Sequence, residues 1–418
     1  MIDLKRLDEL NFFDPEIAAC PFEFYELAQA HSPVYKLPTS PIPGRDLFVI
    51  CNYELVTKAI LDTERFSNKF GSLMGRSKTV DPDVKEIRGR AYESVDTMLT
   101  QDLPAHRSYK TLAKKAFNAG RISRMTDYIR GICDELIDAI EDKSECNFLE
   151  DFAVHLPIYV IADQLGVPRT DLPKFRQWTD HIIAGLSQLG DKQDALNAAN
   201  SVLEFQNYFV DVIEQRRLTP KDDIISDLVN LDLNGERKLD IPELLSIIQQ
   251  ILVAGNETTR NALTGGMLYI IENNLEQQLA KDPSLIPNAV DEILRLEAGT
   301  KNMWRIVKAD TEFGNVAMKA GDALLLSFDA ANRDPAQFPA PHEFDLQREN
   351  TSSHLSFGKG IHFCVGAPLA RQEMRIAYEA LFSRLKNFRL ADNMGKPEYL
   401  PSVLHRGLLG LSVEFEKK

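Results

Sequence analysis

The stretch from about Asp240 to about Glu272 limits what this chain can fold into more than any other. Asp240 and Glu243 are spaced as a capping box, Pro242 falls in the first turn, and an apolar run follows from Leu244 to Val253. At 1.5 Å per residue such a helix is about 50 Å long, enough to cross a domain. The spacing therefore predicts a central helix against which the other elements pack. Its apolar run is broken by Ala254-Gly255-Asn256-Glu257-Thr258-Thr259, where a carboxyl and hydroxyls stand in positions that packing would give to apolar side chains. Taken alone, this is as readily an ordinary helix as a site. The glycine would cost about 1 kcal/mol relative to alanine, and the threonine hydroxyls would bond back to carbonyls one turn earlier.

Helical spacing recurs at Phe22 to Ala30, Ala105 to Phe117, Met125 to Ile140, Phe152 to Leu165 and Ala367 to Ser383. Short strand-like runs stand at Leu47 to Ile50, Ala323 to Phe328 and Leu411 to Phe415. Ala330 to Glu349 carries Asn-Arg-Asp-Pro and Phe-Pro-Ala-Pro, which break both periods and predict a long irregular coil, of the kind that is usually functional. The expectation is a mainly α protein with smaller β regions (α+β). No linker composition or repeat divides residues 1–418, so one domain is expected, large enough to enclose a cofactor.

Charge and cysteine content exclude several functions. A net charge of −14 argues against nucleic acid or an anionic membrane as the main partner. The N-terminus, Met1 to Glu9, is interrupted by charge and offers no signal or spanning segment, so a cytoplasmic protein is expected. Cys20, Cys51, Cys133, Cys146 and Cys364 are scattered, with no C-x-x-C pair for zinc or dithiol chemistry, and are expected to be mostly buried.

Cys364 has a distinctive setting. Phe357-Gly358-Lys359-Gly360-Ile361-His362-Phe363-Cys364-Val365-Gly366 runs directly into the helical pattern from Ala367. A thiol at a helix start is favoured as thiolate, and the glycines let backbone approach a flat ligand. A lone cysteine beside a glycine turn is most often only a buried residue. The whole pattern, however, resembles the haem-binding signature of the cytochrome P450 family.

Further motifs extend the resemblance over nearly the whole chain. Ala254 to Thr259 looks like the segment whose acid and alcohol deliver protons to oxygen bound over the haem, which assigns Glu257 and Thr258 as the catalytic pair. Glu292-Ile293-Leu294-Arg295 is similar to the family's E-x-x-R ion pair, a structural device that locks a helix to the coil beneath the haem loop. Its usual third partner is an Arg in a P-x-R-F element, where this chain has Pro341-His342-Glu343-Phe344. Asp102 to Lys110 resembles the family's D-P-P-x-H-x-x-x-R segment, so His106 and Lys110 would meet a haem propionate, with Lys replacing the usual Arg and losing its fork. Arg305 and His362 are the other cations expected at the propionates. Phe357, Gly358, Gly360, Ala254 and Gly255 complete the implied haem-binding set, with Cys364 as iron ligand.

The resemblance implies the P450 fold, with a long central helix over a buried haem b (iron protoporphyrin IX). It also implies a monooxygenase that inserts one oxygen atom from O2 into a hydrophobic small molecule such as a terpenoid, steroid or fatty acid. The chain carries no dinucleotide fingerprint, so electrons would come from a soluble ferredoxin and its NAD(P)H-dependent reductase, docking near Lys114, Lys115 and Lys359. The protein would act as a monomer. Substrate would be met by 70–99, 177–195, Gln250, Val253, Ala254, 300–303 and 402–404, where Lys301 or Gln250 could pair with a polar group. The alternatives are a peroxygenase or other electron-independent haem-thiolate enzyme, against which the acid–alcohol pair counts, and a non-catalytic haem sensor, which would be expected to carry an output domain.

Overall fold

The computed structural model describes residues 2–71, 81–117, 119–186, 191–233 and 235–418. The chain forms two compact units, one from Met1–Phe66, Ala119–Pro157 and Glu257–Lys418, the other from Ser67–Asn118 and Ile158–Asn256.

In the first unit, Leu47–Ile50 and Ala323–Ser327 are buried along their whole length, as expected of apolar strands covered on both faces. They pair in parallel, with Ala323 opposite Leu47 and Leu326 opposite Ile50. Asn302–Val307 pairs antiparallel on the other side of Ala323–Ser327 and sets Arg305 opposite Leu324. A second sheet orders Leu385–Leu390, Ser412–Lys417 and Glu145–Asn147. The helix Ala367–Arg384, begun by Pro368, packs on Thr126–Asp138 and on Ile286–Leu296. Between Ala331 and Thr351 the chain has no helix or strand, which is the long coil the prolines predict.

The second unit is built on Leu172–Leu186 and Lys192–Leu218, with an aromatic core of Phe175, Trp178, Phe205 and Phe209 that also takes in Ile248 and Leu252. Helix Ala105–Ala116 is fastened here. The Tyr109 hydroxyl donates to Glu243 Oε1 at 2.6 Å, and Arg237 forks onto the same carboxylate at 2.7 Å through each of two nitrogens. Glu243 also closes the expected capping box, accepting from the Asp240 backbone N–H at 2.9 Å while its own N–H reaches Asp240 Oδ1 at 2.9 Å. Burial alone would raise the carboxylate, but the bonds from Arg237, Tyr109 and the Asp240 N–H together with the Arg237 charge hold it down at about 2.

The long helix runs Ile241–Glu272, as the spacing predicts, and contributes its first half to the second unit and its second half to the first. Phe22–His31, Ala105–Ala116 and Ala367–Arg384 also lie where the periodicity puts them. The pattern at 152–165 differs. A π turn at Leu149–Ala153 precedes the α-helix His155–Gln164, an added residue per turn that hydrophobic spacing does not register.

Glu373, on the helix that follows Cys364, is buried, and its Oε2 has no hydrogen-bond partner among the described residues. Burial pushes its carboxyl up to about 8. A raised carboxyl binds its proton more tightly in the folded chain, so stability is greatest below the unfolded value near 4.5 and is lost as pH rises toward 8. The slope approaches about 1.4 kcal/mol per pH unit inside that window. Glu373→Gln is expected to flatten it, checked by thermal unfolding between pH 5 and 8; an unchanged slope would place the titration elsewhere.

Candidate active site

The cysteine loop is built entirely within the first unit. Gly358 and Gly360 adopt φ of +66° and +67°, conformations that side chains rarely take, and they fold the segment back so that the Cys364 N–H donates to the Phe357 carbonyl at 2.9 Å. Helix Ala367–Arg384 starts three residues beyond the cysteine, with Gly366 as its cap. The Arg371 guanidinium lies 4.7 Å from the Phe357 ring centroid and holds Asp291 Oδ1 at 2.7 Å, which steadies the loop from beneath. The Cys364 thiol is exposed. Cys51, Cys133 and Cys146 are instead buried, and burial raises each thiol well above its usual range and keeps it protonated. Cys20 is exposed too, but it caps a five-residue helix and has no glycine loop around it.

Beneath this loop the Glu292–Arg295 pair is fully buried, with Arg295 Nε to Glu292 Oε2 at 2.8 Å and Nη2 to Oε1 at 2.7 Å. The motif's Arg position is taken by Glu343, and the neighbouring basic residue His342 lies half exposed, 3.4 Å from Glu26. The third member is Arg348, whose Nε donates to Glu292 Oε1 at 2.9 Å. The two guanidiniums also gather coil carbonyls, Arg295 those of Asn332, Pro341 and Glu343, Arg348 those of Pro339, Ala340 and Glu343. Asn332 in turn accepts from the Leu355 N–H at 2.7 Å and donates to Ser356 at 2.8 Å, next to Phe357. Sequence reading missed Arg348 because it looked for a cation at one fixed place in the coil.

Arg305 is buried on its strand and donates to the Trp304 carbonyl at 2.7 Å, while His362 is partly buried in the loop and Lys359 is exposed. Lys301 is buried and donates to the Ala18 carbonyl, which makes it a packing group; burial first of all brings its amine down to about 8.

In the second unit, His106 and Lys110 sit one turn apart on Ala105–Ala116. His106 is buried and Lys110 half-buried; burial, followed by the Lys110 charge, brings the imidazole down to about 4, so it is neutral at pH 7. Lys114 and Lys115 are exposed at the end of that helix. Gln250 donates to Thr97 Oγ1 at 2.6 Å. Of the expected substrate segments, 72–80 and 187–190 lie outside the described residues.

Along the long helix, Gln250, Ala254 and Thr258, spaced by four, form an accessible stripe, with Ala254 exposed, whereas Leu252, Asn256, Glu257 and Thr259 are buried. The Glu257 carboxylate is paired with Arg260 and accepts from Asn261 Nδ2 at 3.1 Å, contacts one turn away that the Glu-x-x-Arg spacing foreshadows. Thr258 is backed by Gly299, where an added Cβ would come within 2.8 Å of the Thr258 Cα.

The chain is similar over nearly its whole length to known proteins. The family model for cytochrome P450 matches residues 16–409. The steroid C26-monooxygenase of Mycobacterium tuberculosis is 34% identical over 392 residues, covering 94% of this chain and 92% of its own. The 6-deoxyerythronolide B hydroxylase of Saccharopolyspora erythraea is 32% identical, with 91% and 93% covered. Among solved structures, cytochrome P450 PksS of the bacillaene polyketide synthase from Bacillus subtilis superposes with a TM-score of 0.85 at 29% identity, covering 98% and 100%. CYP109Q5 of Chondromyces apiculatus gives 0.84 at 30%, with 98% of each chain covered. With the family matched over nearly all of its length and the fold shared from end to end, this chain belongs to the cytochrome P450 family and is a haem-dependent monooxygenase.

Proposed function

We propose that this protein, acting as a single domain and as a monomer, inserts one oxygen atom into a hydrophobic small molecule of terpenoid, steroid or fatty-acid type, with haem b as cofactor. Electrons come from a soluble ferredoxin reduced by an NAD(P)H-dependent reductase. The observation that carries this reading is the acid–alcohol pair, a buried Glu257 and an accessible Thr258, beside the small residues Ala254 and Gly255 on the long helix.

The residues present fit a haem. An exposed thiol stands in a loop whose glycines need positive φ; Lys110 and Arg305 would compensate the charge of the two propionates, and His106 and His362 would offer them ring N–H hydrogen bonds. Cys364 would hold the iron, Phe357, Gly358 and Gly360 would shape the face beneath it, and Ala254 and Gly255 would leave room for a flat ring. When bound, the haem supplies activation of dioxygen, which a thiolate ligand favours over reversible binding. Thr258 offers a hydroxyl that hands on a proton, and Glu257 resupplies it. The accessible stripe and the apolar composition of the substrate segments favour a ligand with few polar groups, in keeping with the names of the steroid C26-monooxygenase and the 6-deoxyerythronolide B hydroxylase above.

A screen of hydrophobic compounds for the optical spin-state shift tests the substrate class. Turnover of a hit with ferredoxin, reductase and NAD(P)H, set against peroxide alone, tests the reaction. Peroxide-only turnover would favour the peroxygenase reading. Charge reversal at Lys114, Lys115 and Lys359 is expected to slow reduction at low salt and to matter less at high salt, because exposed charges are screened within about 10 Å at 0.1 M. Reduction rates unchanged at low salt would remove these lysines from the docking surface.

A further inference from the structure

We propose that Arg260 is a positioning residue that holds Glu257 as a charged carboxylate, so that this acid passes protons on instead of storing one. The proposal rests on the proton-delivery reading of Glu257 and Thr258 given above.

The carboxylate forms an ion pair with the Arg260 guanidinium on the side of Oε2, and Oε1 accepts a hydrogen bond from Asn261 Nδ2 at 3.1 Å. The pair is well covered, with side-chain exposure of 2% for Glu257 and 14% for Arg260. The turn that carries it is tightly enclosed. A Cβ at Gly407 would fall 2.5 Å from the Asn261 side chain, and one at Gly299 would strike the backbone of Thr258, so backbone packs closely against both of these neighbours of the pair. On the C-terminal segment, half-buried His405 feels the Arg260 charge; desolvation first, then Lys301, then Arg260 bring it down to about 4 and leave it neutral. Arg260 is thus the cation beside the acid, with an amide as the second donor.

A buried carboxylate without a cation takes up a proton, whereas one beside a guanidinium stays ionised. In the resting protein Glu257 is then an acceptor. In each transfer it gains one proton from bulk water, loosening its hold on Arg260, and gives one proton to the Thr258 side. It returns as a carboxylate to the same guanidinium, and no net charge is stored. An Arg at this place therefore determines when the acid can deliver.

Infrared spectroscopy of the resting holoenzyme reads the charge state directly. Arg260→Gln is expected to gain one protonated-carboxyl band at pH 7 that Arg260→Gln/Glu257→Gln lacks, and Arg260→Lys is expected to show none. Absence of that band in Arg260→Gln overturns the proposal. Should Arg260→Gln not bind haem, Arg260→Lys decides, because a changed cation must move the Glu257 carboxylate stretch, and an unmoved stretch overturns it equally. In turnover, product formed per NAD(P)H is expected to fall several-fold in Arg260→Gln and to recover in Arg260→Lys. If Glu257→Gln keeps full coupling, the relay reading fails on its own, and the infrared result still decides the pairing.

Discussion

Cys364→Ala is expected to eliminate the thiolate-type band of the reduced carbon-monoxide complex and to reduce oxygen insertion to background. The expectation follows from the environment of each thiol. Cys51, Cys133 and Cys146 are sealed in the core, where burial holds the proton on sulfur and no ligand can reach. Cys364 instead stands exposed on a loop closed by its own N–H to the Phe357 carbonyl at 2.9 Å. Alanine keeps that hydrogen bond and the glycine conformations, so the loop survives while the ligand is lost. Cys20→Ala, at the other exposed thiol, is expected to leave the spectrum unchanged. A thiolate-type band that survives in Cys364→Ala would show that another residue holds the iron.

Arg348→Ala is expected to destabilise the protein by about 3–5 kcal/mol, the cost of breaking a buried ion network by removing one partner. The effect should reach the site. Arg348 ties Glu292 to the carbonyls of Pro339, Ala340 and Glu343, and Arg295 ties the same carboxylate to Asn332, which orients Leu355 and Ser356 beside Phe357. Loosening this coil loosens the loop that presents Cys364, so haem content should fall along with the melting temperature. Arg348→Lys should recover only part of the loss, because an ammonium cannot fork between a carboxylate and the carbonyls. His342→Ala, at the half-exposed basic residue in the Pro341 to Phe344 stretch that stands where the motif lies, should change stability by no more than about 0.5 kcal/mol. Equal losses at His342 and Arg348 would contradict the network as described.

These two positions show what was legible in the chain. Cys364 could be picked out because its chemistry is local: a thiol, glycines able to take positive φ, and a helix start lie within a few neighbouring residues. The long helix was legible for the same reason, since its capping box and period are short-range features, and Ile241–Glu272 formed where they point. Arg348 was not legible, because a coil without period can bring any of several cations to a buried carboxylate. Lys301 was open to a role at the substrate until its ammonium was found buried against the Ala18 carbonyl, a contact between segments far apart in the chain.

The sequence by itself determined the central helix and the family, and it singled out Cys364 as the candidate sulfur ligand and Glu257 with Thr258 as the candidate acid–alcohol pair, since each rests on residue types at fixed short spacing. Tertiary structure alone decided which arginine completes the buried triad, which thiols are sealed, and that Lys301 is taken up by the Ala18 carbonyl. Those outcomes depend on burial and on which side chains the folded backbone brings within hydrogen-bonding distance, and neither is written in any short stretch of the chain.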